Sequence, residues 1–405
     1  MPDEIINMKI KILMLFMIAF TVNLYAEAVN SGSSAAVNSD SSFNALRNPA
    51  LMSRQQTENL SFAYLYSYLI NSKIDTDFRF AGIPVELDAE LSEDYNGAII
   101  LSDVEHSGRS SWGFGLSKTG DGQIVLSSMD IESPSFSSAE DTTYIGTTLM
   151  LSYSYKLNNT ESFGLQIETA VSSESKDTEK KDGTNEKDLQ VDEKKVTSGL
   201  TLGYYILENN YEFGIMFKSG RYGFDSQQYE LDVNGIGSEK KISNYYMNDE
   251  GPGVMFGLGI KPERGYLLCL EAGYLIPYSH EEKSCNEDTL AETTGNINLK
   301  YAYVLRGGLN YNYSRYINIG FGGSYTKSKS DTSDEDRIKN GSTDYSIYQI
   351  TSGIDVKLSK DYTLIFGLVY NRILLDMEKE ESVNSFEIGI TEDIIDVMAG
   401  VSCNY

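Results

Sequence analysis

The sequence predicts an all-β fold: a transmembrane antiparallel β-barrel of about 14 strands, with an N-terminal plug segment. Three observations predict this fold. The chain begins with a secretory leader, apolar and polar residues alternate over long runs, and short turns alternate with long polar segments between those runs. A closed barrel suits a membrane because it pairs every backbone polar group within its own wall.

Residues 1–26 have the three parts of a secretory signal peptide. Met8–Lys11 is a short basic start, residues 12–22 are almost entirely apolar, and Ala26 or Ala28 offers a small residue for cleavage. The apolar part is too short for a spanning helix, which needs roughly 20 apolar residues. Because acidic residues are unusual at the start of such a leader, we expect translation to begin at Met8.

Composition excludes several other classes of protein. No long apolar run follows the leader and the mean hydropathy is -0.31, which excludes a helical inner-membrane protein. The formal net charge of -26 argues against a nucleic-acid partner, since phosphate binding needs clustered Lys and Arg. The 29 tyrosines favour a membrane barrel, where aromatic girdles lie at both interfaces.

The three cysteines indicate neither a disulfide framework nor a CxxC metal site. Cys269 and Cys403 lie within alternating runs and are expected to fill space as small apolar residues. Cys285 lies in a polar segment, where we expect a free thiol. The sequence also has no metal-ligand spacing and no phosphate-binding loop, so we expect no cofactor and no metal.

Alternating runs recur along the chain, and a period of two predicts strands with one apolar and one mostly polar face. The clearest runs are residues 60–68, 145–157, 163–171, 254–260 and 350–358. Strands of roughly 9–13 residues are long enough to cross a bilayer at a tilt. The number of runs indicates about 14 strands, with 12 or 16 as alternatives, and bacterial barrels have an even number.

Two kinds of connection join these runs. Short turns are predicted at residues 158–160, 208–210, 262–265, 312–315 and 359–361. Long polar segments, which we expect to be solvated surface loops, cover residues 172–195, 225–249, 279–295 and 327–343. This asymmetry is typical of outer-membrane barrels, which have short periplasmic turns and long extracellular loops.

The final run, Ile395–Tyr405, is predicted to close the barrel by pairing with the first strand near Leu60–Tyr68. Its apolar face should point to lipid, and Asp396, Ser402 and Asn404 should point to the lumen. A terminal strand with an aromatic last residue resembles the label that the outer-membrane assembly machinery reads. We therefore assign Tyr405 as an assembly signal and expect that machinery to be a partner.

Small residues dominate the stretch between the leader and the first strand, which ends in Asn48-Pro49-Ala50-Leu51. This stretch resembles the start of the FadL-type outer-membrane transporters of long-chain fatty acids and aromatic hydrocarbons. In that family an acid-containing segment leads into an Asn-Pro-Ala element just before the first strand, and Asp40 stands where acidic residues tend to occur. The resemblance implies a plug or gating role for Asp40, Asn48, Pro49, Ala50 and Leu51.

The resulting organisation is a signal peptide at 1–26, a plug inside the lumen at 27–58, and a barrel at 59–405. The plug segment is too small and polar to form its own core, whereas a barrel of about 14 strands has a lumen wider than its own side chains fill. Pro49 should give a rigid bend before the first strand. The alternative is a disordered N-terminal tail.

The family resemblance implies passive uptake of hydrophobic small molecules, such as long-chain fatty acids, across the outer membrane of a diderm bacterium. Capture by an extracellular groove would precede binding in a lumenal pocket, and movement of the plug or the wall would release the ligand. The expected partners are this ligand and membrane lipids, and the expected state is a monomer. The alternative is a surface or secretion-partner barrel with an interaction role and no transport, which the long acidic loops would suit.

An outer-membrane enzyme is a third hypothesis, because catalysis in such barrels usually depends on histidine. Only His106 and His280 are present, and both are expected near polar loop segments. His106 lies beside Glu105 and Ser107, but adjacency in sequence does not make a catalytic triad. The sequence therefore predicts that the protein is not an enzyme.

Overall fold

Strands account for nearly all of the chain that can be described. The computed structural model describes residues 48–405, apart from 56–57, 81–82, 86–87, 95–97, 120–124, 134–135, 183–184, 263–264, 286–288, 335–339 and 381–384. The predicted signal peptide, the start at Met8, Asp40 and the first part of the plug, 27–47, lie outside the described residues. Within the described ranges, no helix has both the length and the apolar character needed to span a membrane.

One short 3-10 helix, Pro49–Arg54, precedes the strands. The strands are β1 (Asn59–Phe80), β2 (Ile83–Val85), β3 (Asp88–Asp94), β4 (Ala98–Ser107), β5 (Ser110–Thr119), β6 (Val125–Ser133), β7 (Phe136–Lys156), β8 (Glu161–Asp182), β9 (Asn185–Glu208), β10 (Tyr211–Val233), β11 (Ile236–Glu250), β12 (Gly253–Ile260), β13 (Tyr266–Leu275), β14 (Tyr278–Cys285), β15 (Glu292–Asn312), β16 (Ile317–Asp334), β17 (Asn340–Lys357), β18 (Tyr362–Glu380) and β19 (Ser385–Asn404).

These strands form a closed antiparallel barrel of 14 wall strands, as predicted. The wall consists of β1, β4, β5, β7–β10, β12, β13 and β15–β19, while β2, β3, β6, β11 and β14 prolong it at one end. Closure is made by β1 and β19, which pair antiparallel from Asn59↔Asn404 to Arg79↔Ser385. The predicted pairing of the last run with Leu60–Tyr68 is confirmed, since Leu60 lies opposite Cys403 and Tyr68 opposite Ile395.

The alternation sorts side chains between the two faces of the wall. In β19, Asp396 and Ser402 are buried toward the lumen, while Val397 between them is 49% exposed on the outer face. This arrangement confirms the prediction for Asp396 and Ser402, while Asn404 is half-buried and its side chain donates to the Lys360 carbonyl in the turn before β18. Apolar outer side chains suit lipid contact, because lipid offers no hydrogen bonds to polar groups.

The short turns predicted at residues 158–160, 208–210, 312–315 and 359–361 are confirmed and lie together at one end of the barrel, here called the turn end. Residues 263–264 of the turn predicted at 262–265 lie outside the described residues. Between β7 and β8, the Asn158 side chain accepts hydrogen bonds from the backbone N–H of Thr160 and Glu161, each at 2.8 Å. Between β9 and β10, Asn209 adopts a positive φ of 52°. Asparagine suits both positions, because its side chain forms such turns and it tolerates left-handed backbone.

The four long polar segments are not loops, and that prediction was wrong. Residues 172–195 continue the ladder of β8 and β9 from Ser172↔Lys195 to Asp182↔Asn185. Strands therefore reach 24 residues, well beyond the roughly 9–13 predicted from the crossing length. They project as paired hairpins at the opposite end of the barrel, here called the extended end.

Two features of the sequence explain why the charged segments fold as strands. Asn234 and Gly235 have φ values of 52° and 84°, and they form the two-residue turn that joins β10 to β11. Asn-Gly favours this turn because both residues tolerate positive φ. Opposite charges also meet across strands: Lys176 Nζ lies 2.8 Å from Glu140 Oε2, with both side chains nearly buried.

Candidate functional site

The 3-10 helix Pro49–Arg54 lies inside the barrel at the turn end, with Pro49 to Ser53 all buried. Asn48 caps it, because the Asn48 side chain accepts a hydrogen bond from Ala50 N–H at 3.1 Å. Pro49 occupies the first helical position, where its missing N–H costs no hydrogen bond. The Asn-Pro-Ala element is therefore built into the floor of the barrel, while its gating role stays a prediction.

Serine hydroxyls on two wall strands hold this helix. Ser162 Oγ on β8 donates to the Ala50 carbonyl at 2.8 Å, and Ser154 Oγ on β7 lies 3.3 Å from the same oxygen. Ser53 N–H donates in turn to Ser154 Oγ at 3.3 Å. The hydroxyls thus help to satisfy the buried backbone groups of the helix.

Arg54 ties the end of the helix to the turn between β7 and β8. Its Nη1 donates to the Asn159 carbonyl at 2.6 Å, and its Nη2 donates to the Asn158 carbonyl at 3.0 Å. Burial lowers the pKa of Arg54, and the opposing effects of Tyr205 and Glu161 are smaller. The guanidinium still remains charged, because arginine does not deprotonate in proteins.

Two glycines in the wall make room for the helix. A Cβ atom on Gly164 of β8 would lie 2.8 Å from Pro49 Cβ and still closer to the Pro49–Ala50 peptide. A Cβ atom on Gly203 of β9 would lie 3.1 Å from Pro49 Cδ and still closer to Asn48 Oδ1. We call Gly164 and Gly203 the glycine seat. Sequence reasoning singled out neither of these two glycines.

The helix also packs against apolar side chains of several wall strands. Leu51 and Ala50 share an apolar cluster with Tyr205 of β9 and with Leu267 and Cys269 of β13. Met52 packs in a separate cluster with Val104 of β4. Cys269 is therefore the small apolar filler that the sequence predicted. These contacts reach from β4 to β13, so the helix lies across the lumen at the turn end.

Above this floor, a chain of polar side chains crosses the lumenal face of the wall. Gln349 Nε2 on β17 donates to Asn371 Oδ1 on β18 at 2.9 Å, and Asn371 Nδ2 donates to Asp396 Oδ2 on β19 at 2.7 Å. Ser324 on β16 extends the chain to Gln349 at 3.3 Å. All three of Gln349, Asn371 and Asp396 are buried.

Two arginines on the lumenal face hold carboxylates. Arg306 Nη1 on β15 lies 2.6 Å from Glu271 Oε1 on β13, and the Glu271 side chain is fully buried. Arg221 on β10 pairs with Glu168 on β8 and, at 3.4 Å, with Glu250. The charge of both arginines is therefore already balanced inside the barrel.

Apolar side chains line the inside of the extended end. One cluster, here called the upper cluster, consists of Leu189, Val191, Tyr229, Leu231, Ile242, Cys285 and Leu290, with Val233 packed against it. Further round the wall, the buried apolar residues are Tyr345, Ile347, Ile373, Leu375, Met377, Ile388 and Ile390. Cys285 was predicted in a polar loop, but it lies in β14 and is buried in the upper cluster.

Both histidines lie in strands, His106 near the end of β4 and His280 in β14. His106 Nδ1 on β4 lies 2.6 Å from Ser111 Oγ on β5, but Ser111 is buried and offers a substrate no access. Ser111, and not the adjacent Ser107, is the hydroxyl partner. His280 lies on β14 and stacks on Tyr278. This geometry makes the histidines parts of the wall.

Tyr405 lies at the turn end, where β19 meets β1 and β4. Its hydroxyl donates to Asp103 Oδ1 at 2.7 Å, and its backbone N–H donates to the Glu58 carbonyl at 3.3 Å. Burial and then the bond to Asp103 raise the pKa of Tyr405, so the hydroxyl stays protonated and able to donate. Its role as an assembly signal stays a prediction.

The closed 14-strand antiparallel barrel is similar in fold to solved FadL-type outer-membrane transporters. The structure of a Pseudomonas aeruginosa FadL homologue aligns with 93% of this chain and 98% of its own, at 12% identity and a TM-score of 0.64. The Ralstonia pickettii toluene transporter TbuX aligns with 93% of this chain and 96% of its own, at 12% identity and a TM-score of 0.62.

The Pseudomonas putida toluene transporter TodX aligns with 88% of this chain and 92% of its own, at 12% identity and a TM-score of 0.57. These three solved structures are named as transporters or transporter homologues, and none is named as an enzyme. No protein-family model matches the chain, and no curated protein matches it. At such low identity, the likeness establishes the fold.

Proposed function

We propose that this protein is an outer-membrane channel for the passive uptake of hydrophobic small molecules. The observation that carries the proposal is the apolar interior of the extended end. Leu189 and Val191 point inward and are buried, while the alternate positions Asp188 and Asp192 are charged. The outer face of the extended end lies in water and therefore carries polar side chains. Its apolar inner face is suited to bind an apolar ligand.

The orientation follows from the asymmetry of the two ends. Short turns face the periplasm in bacterial barrels, so the extended end faces the outside of the cell. A hydrophobic molecule arriving there would leave water for the apolar interior. Each 100 Å² of apolar surface that it buries would contribute about 2.5 kcal/mol.

The 3-10 helix Pro49–Arg54 then forms the periplasmic barrier. Its contacts with Ser154, Ser162 and the glycine seat hold it across the lumen. Release of ligand into the cell requires this barrier to move or the ligand to leave through the wall. Long-chain fatty acids and small aromatic hydrocarbons are both candidate ligands for the apolar interior, and the paired state of Arg221 and Arg306 favours uncharged ones.

An uptake assay with matched variants tests this function. Cells that lack the protein should lose uptake of radiolabelled toluene or decane, and the wild-type chain should restore it. Leu231→Glu places a charge in the upper cluster and should lower uptake about tenfold or more, since burying an unpaired charge is strongly unfavourable. Ile236→Glu is the control, because Ile236 is 74% exposed on the same hairpin, and it should leave uptake unchanged.

Outer-membrane fractionation accompanies the assay. The folded barrel should migrate differently on a gel before and after heating, and it should be found with the outer membrane. Normal uptake of every apolar probe by cells without the protein would remove the channel hypothesis. The alternative, a surface barrel with an interaction role, would then be favoured by its charged outer hairpins, such as the exposed pair Lys181–Glu186.

A further inference from the structure

We propose that apolar ligands enter the barrel from the side, between β11 (Ile236–Glu250) and β14 (Tyr278–Cys285) at the extended end. The junction of these two strands is here called the seam. The upper cluster lies directly behind it, since Ile242 of β11 and Cys285 of β14 are both members. The inference rests on the proposed uptake function and adds the route by which an uncharged, hydrocarbon-like molecule reaches the apolar interior.

The seam is a place where neighbouring strands do not share a ladder. β11 pairs with β10 on one side, and β14 pairs with β15 on the other. In the part of the chain that the structure describes, no ladder of backbone pairs joins β11 to β14. The wall below is continuous, because β12 and β13 pair up to Gly253↔Leu275. The seam therefore begins where that ladder ends.

A proline on each side of the junction explains why the ladder ends there. The Pro252 carbonyl accepts a hydrogen bond from Ile276 N–H at 2.8 Å. The next residue after Ile276 is Pro277, which has no N–H to donate, and Pro252 has none either. Beyond these prolines, β11 and β14 continue as parts of two different hairpins.

Side chains bridge the seam in this structure. At its base, the Tyr278 ring lies against Gly251, and a Cβ atom on Gly251 would overlap that ring. Nearer the hairpin ends, Ile242 and Cys285 are buried in the upper cluster together with Leu290. The closed seam therefore depends on side-chain packing, whereas the strands on either side of it are held by backbone pairs.

This difference makes the seam easier to open than the junctions beside it. Separating β10 from β11, or β14 from β15, would break a ladder and leave its backbone groups without their partners. Separating β11 from β14 breaks no ladder and exposes the apolar side chains of the upper cluster. An apolar molecule that enters there covers these side chains again, so the ligand itself stabilises the open state.

The base of the seam lies at the edge of the apolar outer face of the wall. Tyr274 in β13 and Ile276 just after it are exposed and face outward, whereas the exposed residues beyond Pro277 are polar, as at Ser279 and Glu281. An aromatic residue at the edge of an apolar band marks the membrane surface. A hydrocarbon dissolved in lipid would therefore reach the seam without passing over the hairpin tips.

A reversible cross-link across the seam tests this route in cells that express the full-length chain. Ile242→Cys places a second thiol in the upper cluster with Cys285, and copper phenanthroline should join the two. Uptake of radiolabelled decane should fall about tenfold or more on oxidation, because a covalent bond prevents the two strands from separating. Dithiothreitol should restore uptake, and mass spectrometry of the purified barrel verifies the bond.

The matched control is a cross-link between strands that already share a ladder. Val196 and Phe224 lie opposite each other on the outer face of β9 and β10, and both are exposed. Oxidation of the Val196→Cys, Phe224→Cys double variant should leave its decane uptake unchanged. Wild type, which has Cys285 as its thiol at the seam, controls for the effect of the oxidant itself.

A second variant applies if Ile242→Cys does not assemble or does not cross-link. Tyr278→Ala removes the ring that covers Gly251, so the seam should open more often. The rate at which N-ethylmaleimide labels Cys285 in barrels held in lipid nanodiscs should then rise severalfold. Tyr274→Ala changes the outer face below the seam and should leave this rate unchanged.

The outcomes separate the route from the uptake function. Equal decane uptake by oxidised and reduced Ile242→Cys, with the bond verified, overturns the seam as the route and leaves the uptake function standing. Loss of uptake in both cross-linked variants also overturns it, since any stiffening of the wall would then suffice. In the labelling experiment, an unchanged rate for Tyr278→Ala overturns the seam. Absence of decane uptake by untreated wild-type cells would overturn the uptake function itself.

Discussion

Replacing Gly203 by alanine should release the 3-10 helix and open the floor of the barrel. The new Cβ atom would lie 3.1 Å from Pro49 Cδ and closer still to Asn48 Oδ1. β9 cannot retreat, because it is paired along its length with β8 on one side and β10 on the other. Overpacking of this kind costs about 1–3 kcal/mol.

This penalty acts only while the helix is seated. At about 1.4 kcal/mol for each factor of ten, a penalty of about 2 kcal/mol raises the ratio of released to seated helix roughly 30-fold. Gly164→Ala should have a larger effect, since its Cβ would meet the backbone of Pro49 and Ala50 rather than a side chain. Gly307→Ala is the control, because its nearest contact is Leu270 Cδ2 at an ordinary 3.5 Å.

Single-channel conductance in planar bilayers measures the open fraction directly. Conductance should increase in the order Gly307→Ala, Gly203→Ala, Gly164→Ala, with heat-modifiable migration as the check on folding. Asn48→Ala removes the side chain that meets the new Cβ atom of Gly203→Ala, so the double variant should show little effect beyond that of Asn48→Ala alone. Folded glycine-seat variants that remain as closed as wild type would refute the reasoning.

Three further predictions concern the helix, the lumen and the chain end. Arg54→Lys keeps the charge but cannot reproduce the paired bonds to two carbonyls, so conductance should rise less than for Gly164→Ala. Glu271→Leu leaves Arg306 buried without its carboxylate and should lower the free energy of unfolding in urea by about 3–5 kcal/mol, which an unchanged midpoint would contradict. Tyr405→Ala should reduce the yield of assembled barrel. Asp103→Asn removes only the charge of the residue that accepts the Tyr405 hydrogen bond, and it should not reduce this yield. Equal yields from the two variants would indicate that Tyr405 acts through its contact with Asp103 and not as an assembly signal.

The barrel wall was largely predictable, because its signal is local. In β19 a period of two places Asp396 and Val397 on opposite faces, and the same rule holds for β1. The pairing of these two strands also followed, since a barrel must join its last strand to its first. The aromatic and apolar residues of the outer face could be assigned from the alternation alone, without knowing which residues lie beside them in space.

The extended end was missed because the stabilising partners of its charges lie on other strands. Lys176 is a solvated residue when β8 is considered alone, and becomes a buried ion-pair partner when Glu140 of β7 is placed beside it. One local signal was present in the sequence: Asn234-Gly235 is a strong hairpin turn between two alternating runs. This turn signal, taken together with the runs on either side, would have predicted the hairpin of β10 and β11.

The candidate site was predictable only in part. Pro49 and its neighbours were singled out by motif, but the residues that hold them were not. Ser154 and Ser162 are separated from Ala50 by 104 and 112 positions in the chain. A small residue in inward register, such as Gly164, was the available signal, but many inward positions of the wall carry one.

The sequence by itself determined the closed wall, its two faces and its short turns, since each depends on residues adjacent along one strand or one turn. Tertiary structure decided the floor, the upper cluster and the polar chain that ends at Asp396. These features form between strands that closure of the barrel brings together, and the partner of each side chain depends on strand register. Register is a property of strand pairs, which the pattern within one strand does not specify.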